Sequence, residues 1–258
     1  MWASVARHVR GETARDRAIL RRAILRSPMS SLGKWRDWLN PHVSEDCRVR
    51  TSLGRFRVRA DSDDLYLTLP TREPAVLAII KSLKPGDFFV DAGANIGVYT
   101  VLASRLVGPS GRVVAIEMMP DTAQVLRRHV ADNDCANVEV IEAALSNATD
   151  QMVEAFIEPG KSGQASFVIP QNGRAIRVRT RTFGDIFDAQ PDLMKIDVEG
   201  AEDLAFKGMK LLPKRIVFEH SRIGDDSRAI LRDLGYEVTA IDGANYHATL
   251  TINADPLR

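Results

Sequence analysis

Residues 88–97 read Phe-Phe-Val-Asp-Ala-Gly-Ala-Asn-Ile-Gly, and this stretch decides how the rest of the chain is interpreted. The apolar run predicts a short buried strand that ends at Asp91, followed by a turn through Gly93 and Gly97 into a helix over 98–106. Because glycine has no Cβ, both positions are expected to leave room for a ligand against the backbone. Ligands of open α/β sheets bind beyond the carboxyl ends of the strands, where this loop is expected to lie.

A carboxylate follows at the spacing that a nucleotide site requires. The next predicted strand, 112–117, ends in Glu117, 20 residues after Gly97 (117 − 97). An acid there can accept hydrogen bonds from both hydroxyls of a ribose. An ordinary surface acid at a strand end is the alternative, and the glycine loop upstream favours the ribose contact.

The loop differs from that of a dinucleotide-binding protein. Such proteins carry Gly-x-Gly-x-x-Gly with a pyrophosphate at the helix start, whereas this chain has Gly93-x-Asn95-x-Gly97. Asp91, just before the first glycine, would repel a pyrophosphate. The acid suits S-adenosylmethionine, whose tail carries an ammonium and a sulfonium. The sequence therefore favours that cofactor over NAD.

Strands and helices alternate from residue 73 onward. Helices are predicted over 73–83, 98–106, 121–132, 201–209 and 225–234, and strands over 87–91, 112–117, 138–143, 192–197, 215–219, 236–241 and 248–252. Short apolar strands in this rhythm predict an α/β fold with a mostly parallel sheet covered on both faces. The last two strands are expected to form an antiparallel edge pair. Residues 147–182 break the rhythm and predict three further strands, a β insertion within a domain spanning 73–258.

Two segments precede that domain. Residues 1–46 are expected to form a basic helical arm, with a first helix ending at 27–28 and a second amphipathic piece around Trp35 and Trp38. Residues 47–72 alternate like strands, with Phe56 and Val58 in the first and Leu65, Leu67 and Leu69 in the second. A turn at 61–64 would complete a β-hairpin.

Charge is distributed unevenly along the chain. The net charge is +1, yet residues 1–36 hold nine Lys or Arg against Glu12 and Asp16 (9 − 2 = +7), so the remainder carries 1 − 7 = −6. Nothing global points to nucleic acid. The arm is either a helical cap with solvated arginines or a surface for a partner or an anionic lipid.

The sequence predicts a cytoplasmic protein. Cys47 and Cys135 are isolated, so a disulfide framework is not expected. Ala92 to Ser104, 13 residues, is the longest hydrophobic stretch without Asp, Glu, Lys or Arg, short of the roughly 20 residues of a membrane-spanning helix. The arginine-rich start superficially resembles a mitochondrial transit peptide, and it lacks the apolar core of a secretory signal.

Three motifs carry a family resemblance. Residues 90–100 (VDAGANIGVYT), 144–146 (ALS) and 194–202 (MKIDVEGAE) resemble, in order and spacing, the motifs of the FkbM family of S-adenosylmethionine-dependent methyltransferases, over about 73–234. The first motif is general to class I methyltransferases, and the third makes the resemblance more specific. It implies a Rossmann-like class I methyltransferase fold.

The resemblance also implies methyl transfer from S-adenosyl-L-methionine to a hydroxyl of a sugar or small natural product. Cofactor contacts are expected at Asp91, Gly93 and Glu117, with Asn95 and Gly97 in the same loop. Ala144 is expected near the adenine. Glu142 ends the preceding strand and is a candidate acceptor for the adenine amino group, or an exposed acid.

A hydroxyl needs a base beside it before it attacks a methyl group. Asp197 emerges at the carboxyl end of its strand, and Glu199 and His220 are the other candidates. His220 is the best matched, with an unperturbed pKa of about 6.5. Glu199 and Glu202 also fit helix capping, and His220 a structural hydrogen bond. Asp197, Glu199 and Glu219 resemble a magnesium set, but no spacing demands one, and no metal is predicted.

Two other functions stay open. The basic arm is compatible with RNA as the methyl acceptor, although the acidic remainder opposes it. A non-catalytic cofactor-binding scaffold is the third hypothesis. The expected partner is a small hydroxylated acceptor, nucleic acid is disfavoured, and the sequence says nothing of oligomeric state.

Overall fold

The computed structural model describes residues 1–26, 41–157, 165–166, 174–198, 200–219 and 226–251. Its helices are α1 (Trp2–His8), α2 (Ala14–Arg26), α3 (Asp64–Leu67), α4 (Pro74–Ile80), α5 (Val98–Val107), α6 (Pro120–Asp132), α7 (Glu202–Lys207) and α8 (Ser227–Asp233). Its strands are β1 (Arg10–Gly11), β2 (Cys47–Arg50), β3 (Arg55–Val58), β4 (Phe88–Ala92), β5 (Arg112–Glu117), β6 (Val138–Glu142), β7 (Ala144–Leu145), β8 (Met152–Ile157), β9 (Ala165–Ser166), β10 (Arg174–Arg181), β11 (Leu193–Ile196), β12 (Arg215–Glu219), β13 (Tyr236–Ala240) and β14 (Asn245–Leu250).

A seven-stranded sheet forms the centre, in the order β13-β14-β12-β11-β4-β5-β6. The five strands from β12 to β6 are parallel, and β14 pairs antiparallel with both β12 and β13. The chain runs outward from β4 through β5 and β6, then returns to β11 on the other side of β4. This reversal places a crevice at the carboxyl ends of β4 and β11, where ligands of such sheets bind.

Both faces of the sheet are covered, as expected of buried parallel strands. Successive side chains of a strand point to opposite faces. Phe89 accordingly packs with Val101 of α5 in one core cluster, whereas Val90 packs with Phe206 of α7 and Leu231 of α8 in another. The predicted Rossmann-like class I methyltransferase fold, with its antiparallel edge pair and helices on both faces, is confirmed.

The lead-in differs from the prediction. The hairpin is formed by β2 and β3 alone, and its turn lies at 51–54, where the amide of Thr51 donates to the carbonyl of Gly54. The predicted second strand is wrong, because residues 64–67 form α3. Leu65 lies in this helix and Leu69 lies just beyond its end, and both are buried.

The N-terminal arm is built into the same core. The described part contains α1 and α2, and the two-residue strand β1 between them, which the sequence did not predict, pairs with β2. Val5 and Ile19 belong to the cluster that also holds Val101. The arm is thus packed on the domain through its apolar side chains. The second helical piece around Trp35 and Trp38 lies outside the described residues.

A small separate sheet with the strand order β7-β10-β8-β9 contains the predicted insertion as β8, β9 and β10. It begins directly after β6 of the main sheet, and β8 and β10 pair antiparallel over six residue pairs. Within the described ranges, no helix is long and apolar enough to cross a membrane. The cytoplasmic location stays a prediction.

Candidate active site

A cleft lies at the carboxyl ends of β4, β5 and β11. One wall is the loop after β4, and another is formed by Met118 and residues 143–145, which follow β5 and β6. Asp197, directly after β11, faces the cleft, and Arg72 reaches it from the chain before α4.

The glycines of the loop have a role different from the one expected. Gly93 and Gly97 have φ angles of +73° and +84°, a region that favours glycine. A Cβ on Gly93 would lie 1.8 Å from the carbonyl oxygen of Asp197, and one on Gly97 would lie 2.2 Å from Cδ1 of Leu126. The missing side chains therefore make room for the protein itself. Gly93 still lines the cleft through its backbone, whereas Gly97 packs against α6.

Glu117 and Asn95 are joined at the floor of the cleft. The Glu117 carboxylate accepts the backbone N–H groups of Asn95 (2.8 Å) and Met119 (2.9 Å), and both Glu117 and Asn95 line the cleft. Burial raises the pKa of Glu117 to about 7, although these two hydrogen bonds favour its charged form. Asn95 Oδ1 is buried and has no partner among the described residues.

Asp91 is buried beneath the loop. Its Oδ2 accepts a 2.6 Å hydrogen bond from the hydroxyl of Thr100, and its Oδ1 is buried without a partner in the described part of the chain. Burial raises its pKa, against the opposing charge of Lys195, the residue paired with it on β11. An unpartnered buried carboxylate oxygen is a group that a ligand cation or a bound water would satisfy.

Of the two residues expected near an adenine, one lines the cleft and the other does not. Ala144 lines the cleft with its neighbours Ala143 and Leu145. Glu142 is not among the lining residues that the structure describes, and its carboxylate accepts a hydrogen bond from Arg127 (3.1 Å).

Asp197 is held by a buried lysine. Lys195 Nζ lies 3.2 Å from Asp197 Oδ2 and 3.4 Å from the carbonyl oxygen of Gly93. Burial opposes ionisation of Asp197, but the positive charges of Lys195 and Arg72 outweigh it and lower its pKa. Asp197 also shares a hydrogen bond with Glu219 at the end of the neighbouring strand. The acid is therefore ionised at neutral pH and held in one orientation.

The other two candidate bases, Glu199 and His220, lie outside the described residues. Glu202 is described, and its carboxylate accepts the N–H groups of Val198 (3.1 Å) and Gly200 (3.2 Å), which fits the capping role. No group of three or more metal-ligating side chains occurs in the ranges that the structure covers.

Four cleft-side residues were not singled out from the sequence: Arg72, Glu73, Tyr99 and Lys195. The Tyr99 hydroxyl donates to the Glu73 carboxylate (2.7 Å), which also pairs with Arg72. Lys195 belongs to the MKIDVEGAE motif. It pairs with Asp91 in the register of β11 and β4, so the motif contained the cation that lies beside that acid. Arg72 and Glu73 carry no motif, and only the tertiary fold brings them to the cleft.

The residues present fit S-adenosylmethionine. Apolar side chains beside Ala144 suit an adenine, and Glu117 lies where a ribose would follow. The buried acid Asp91 and the cations Arg72 and Lys195 suit a tail that carries both an ammonium and a carboxylate. The unpartnered oxygens of Asp91 and Asn95 mark polar groups that such a ligand would satisfy.

Comparisons with known proteins point the same way. The model of the methyltransferase FkbM domain matches residues 91–238. The methyltransferase sdnD of Sordaria araneosa is 27% identical over 202 residues, 62% of this chain and 77% of that protein. The ribosomal RNA large subunit methyltransferase E of Vesicomyosocius okutanii is 28% identical over 151 residues, 56% of this chain and 65% of that protein.

A solved structure is similar as well. The crystal structure of methyltransferase FkbM from Methylobacillus flagellatus KT superposes with a TM-score of 0.44 at 18% identity, covering 72% of this chain and 54% of that one.

Proposed function

The chain belongs to the FkbM methyltransferase family, whose domain spans residues 91–238, and we propose that it methylates a hydroxyl oxygen of a sugar or small natural product. Its methyl donor is S-adenosylmethionine. The observation that carries the choice of oxygen is Asp197, an ionised carboxylate at the cleft edge, in backbone contact with the glycine loop. A hydroxyl placed there would find an acceptor for its hydrogen.

We infer the donor's position from the residues that line the cleft. When bound, S-adenosylmethionine supplies an electrophilic methyl group on a sulfonium. Glu117 would accept hydrogen bonds from the ribose hydroxyls, and the backbone at Gly93 and Asn95 would lie beneath the nucleoside. Ala144 would contact the adenine, whereas Glu142 would need to leave Arg127 to reach it, so its role stays a prediction.

Orientation of the acceptor hydroxyl and removal of its proton would be carried out by two different side chains. With a lowered pKa, Asp197 is a weak base, suited to orienting the acceptor hydroxyl by accepting its hydrogen bond. His220, directly after β12, is the better matched base for taking the proton, and Glu199 is the remaining candidate. Alignment of the hydroxyl with the methyl group is the larger part of the catalysis in a direct displacement.

The test is a search for the acceptor with matched variants. A cell extract would be incubated with labelled S-adenosylmethionine and the wild-type chain, Asp197→Asn or the exposed control Asp188→Asn. Mass spectrometry would then identify labelled products. We expect the label on a hydroxyl of a small molecule, with Asp197→Asn slower by on the order of 10²-fold because the hydroxyl loses its orientation, and the control unchanged. Label on carbon or nitrogen would overturn the proposal.

RNA is the second candidate, favoured by the basic segment 1–36 and by the similarity to a ribosomal RNA methyltransferase. If RNA is the acceptor, the label appears in the RNA fraction. Retention of the chain on RNA would then fall steeply with salt and weaken when the exposed Arg7 and Arg21 of that segment are replaced by glutamate.

A further inference from the structure

Arg72 is a partly buried cation at the cleft, upstream of the matched family domain. It lies between α3 and α4, and only 18% of its side chain is exposed. It lines the cleft together with Gly93, Tyr99 and Asp197. A guanidinium in this position is close to any ligand that lies over the glycine loop.

The surroundings of Arg72 hold it in place. Its Nη2 pairs with the Glu73 carboxylate, which in turn accepts the hydroxyl hydrogen of Tyr99 at 2.7 Å. Its Cζ lies 6.0 Å from the ring centroid of Tyr66 and 5.9 Å from that of Tyr99. A side chain fixed on several sides loses little freedom when it binds a ligand, so its hydrogen bonds contribute more to affinity.

Two cations approach the cleft, and they differ in what they can still bind. Lys195 Nζ donates to Asp197 and to the carbonyl of Gly93, so its hydrogen bonds are made to the protein itself. Arg72 presents several N–H donors in a planar fork, more than its contacts with Glu73 and Tyr99 use. That fork matches the geometry of a carboxylate.

We propose that Arg72 binds the carboxylate of the amino-acid tail of the S-adenosyl donor. The inference rests on the proposed placement of the donor over Gly93. With this assignment the tail would have a matching pair of groups, the unpartnered Oδ1 of Asp91 for the ammonium and Arg72 for the carboxylate. Specificity for an intact amino-acid tail then depends on a residue outside the motifs.

A structural ion pair with Glu73 is the competing explanation, and ligand chemistry separates the two. S-adenosylhomocysteine keeps the carboxylate, whereas its decarboxylated form keeps the adenosine and the ammonium only. If Arg72 binds the carboxylate, its removal weakens the first ligand alone. If Arg72 only supports the fold, both ligands weaken together.

Titration calorimetry on the full chain measures both dissociation constants for the wild type, Arg72→Gln, Arg72→Lys and a distant control, Arg112→Gln, at the amino end of β5. We expect the wild type to bind S-adenosylhomocysteine on the order of 10- to 100-fold more tightly than the decarboxylated form. This ratio should fall to about one in Arg72→Gln and below the wild-type value in Arg72→Lys. Arg112→Gln should keep the wild-type ratio.

Each contrary result has a separate meaning. A wild-type ratio near one, or an unchanged ratio in a folded Arg72→Gln protein, overturns the assignment of Arg72 and leaves the donor site intact. If the ratio of the two dissociation constants falls to about one in Lys195→Met but not in Arg72→Gln, Lys195 binds the carboxylate. That result also overturns the assignment of Arg72. Failure of the wild type to bind either nucleoside removes the donor site itself, and the proposed function with it.

Discussion

The α-carbon of Gly93 and the carbonyl oxygen of Asp197 are so close that a Cβ on residue 93 would lie 1.8 Å from that oxygen. The amide of Asp197 also donates to the carbonyl of Ala92 at 3.0 Å, which extends the pairing of β4 with β11. The loop that would carry the methyl donor and the acid that would orient the acceptor are therefore fixed to each other through backbone. Neither can shift without the other.

Gly93→Ala should damage stability and donor binding together. The new methyl group meets backbone, which cannot rotate away, and residue 93 has a φ of +73°. We expect a loss of at least about 1–3 kcal/mol in the free energy of unfolding in urea, and loss of S-adenosylhomocysteine binding by calorimetry. Gly243→Ala is the control, because nothing lies within 4 Å of its Cβ position. Equal stability of the two variants would contradict the close contact.

The motifs and the core strands were predictable because their signals are local. The strands Arg112–Glu117 and Arg215–Glu219 have the predicted bounds, since each is a short apolar run between an arginine and a glutamate. What fills the space beside a glycine cannot be predicted in this way, because the neighbouring residue comes from a distant part of the chain. This is why Leu126, which occupies the space next to Gly97, could not be named from the sequence.

The residues that were predicted wrongly or overlooked are also decided by contacts formed in the folded chain. Asp64, expected in a turn, begins the helix that stands in place of the predicted second strand, and it is buried in a salt bridge with Arg59 (2.8 Å), the residue that follows β3. Arg72 reaches the cleft only because α3 and the following chain pack beside Tyr99. Side chains that become functional through packing leave no periodic or spaced pattern in the chain.

Glu117 should make stability decrease as the pH rises. Burial raises its pKa in the folded protein from the ordinary 4.5 to about 7, so the folded state binds the proton more tightly than the unfolded state. Its contribution is therefore fully present below about pH 4.5 and is lost as the pH rises through about 7. The slope for one group is at most about 1.4 kcal/mol per pH unit.

Urea unfolding of the wild type and Glu117→Gln between pH 4.5 and 7.5 measures this contribution. We expect the stability of the wild type relative to the variant to fall across that window. Glu139→Gln, which alters a half-exposed carboxylate on β6, should track the wild type. Parallel curves for the wild type and Glu117→Gln would show that the pKa of Glu117 is not raised in the folded protein.

His129 should have the opposite pH dependence. Its Nε2 accepts the backbone N–H of Arg57 at 2.8 Å, so its Nδ1 donates to the carbonyl of Ile96 at 2.7 Å. Burial lowers its pKa, so the unfolded chain binds the proton more readily than the folded one. The stability that neutral His129 contributes is present above about pH 6.5 and is lost as the pH falls through the lower folded value.

His129→Gln tests that link between β3 and the glycine loop. At pH 8 the variant should be less stable by about 1–3 kcal/mol, because buried backbone groups lose a partner. Below pH 6 the difference should shrink, since the wild type then carries the cost of protonation. A difference that stays constant from pH 5 to 8 would mean that the His129 pKa is the same in the folded and unfolded chain.

Asp91→Asn should weaken binding of ligands that have an ammonium and spare those that lack one. Asp91 Oδ1 is buried and unpartnered in the described part of the chain, while Oδ2 is taken by Thr100. An ammonium near Oδ1 would gain a charge-assisted hydrogen bond that an amide oxygen provides only in part. We expect S-adenosylhomocysteine to bind on the order of 10- to 100-fold more weakly, and the binding of methylthioadenosine, which has no amino-acid tail, to change little.

Thr100→Val is the control that distinguishes the charge of Asp91 from its role in supporting the loop. It removes the hydroxyl that donates to Asp91 at 2.6 Å and keeps the carboxylate. Equal weakening of both ligands in Asp91→Asn, matched by Thr100→Val, would make Asp91 a support of the loop and not a contact of the tail.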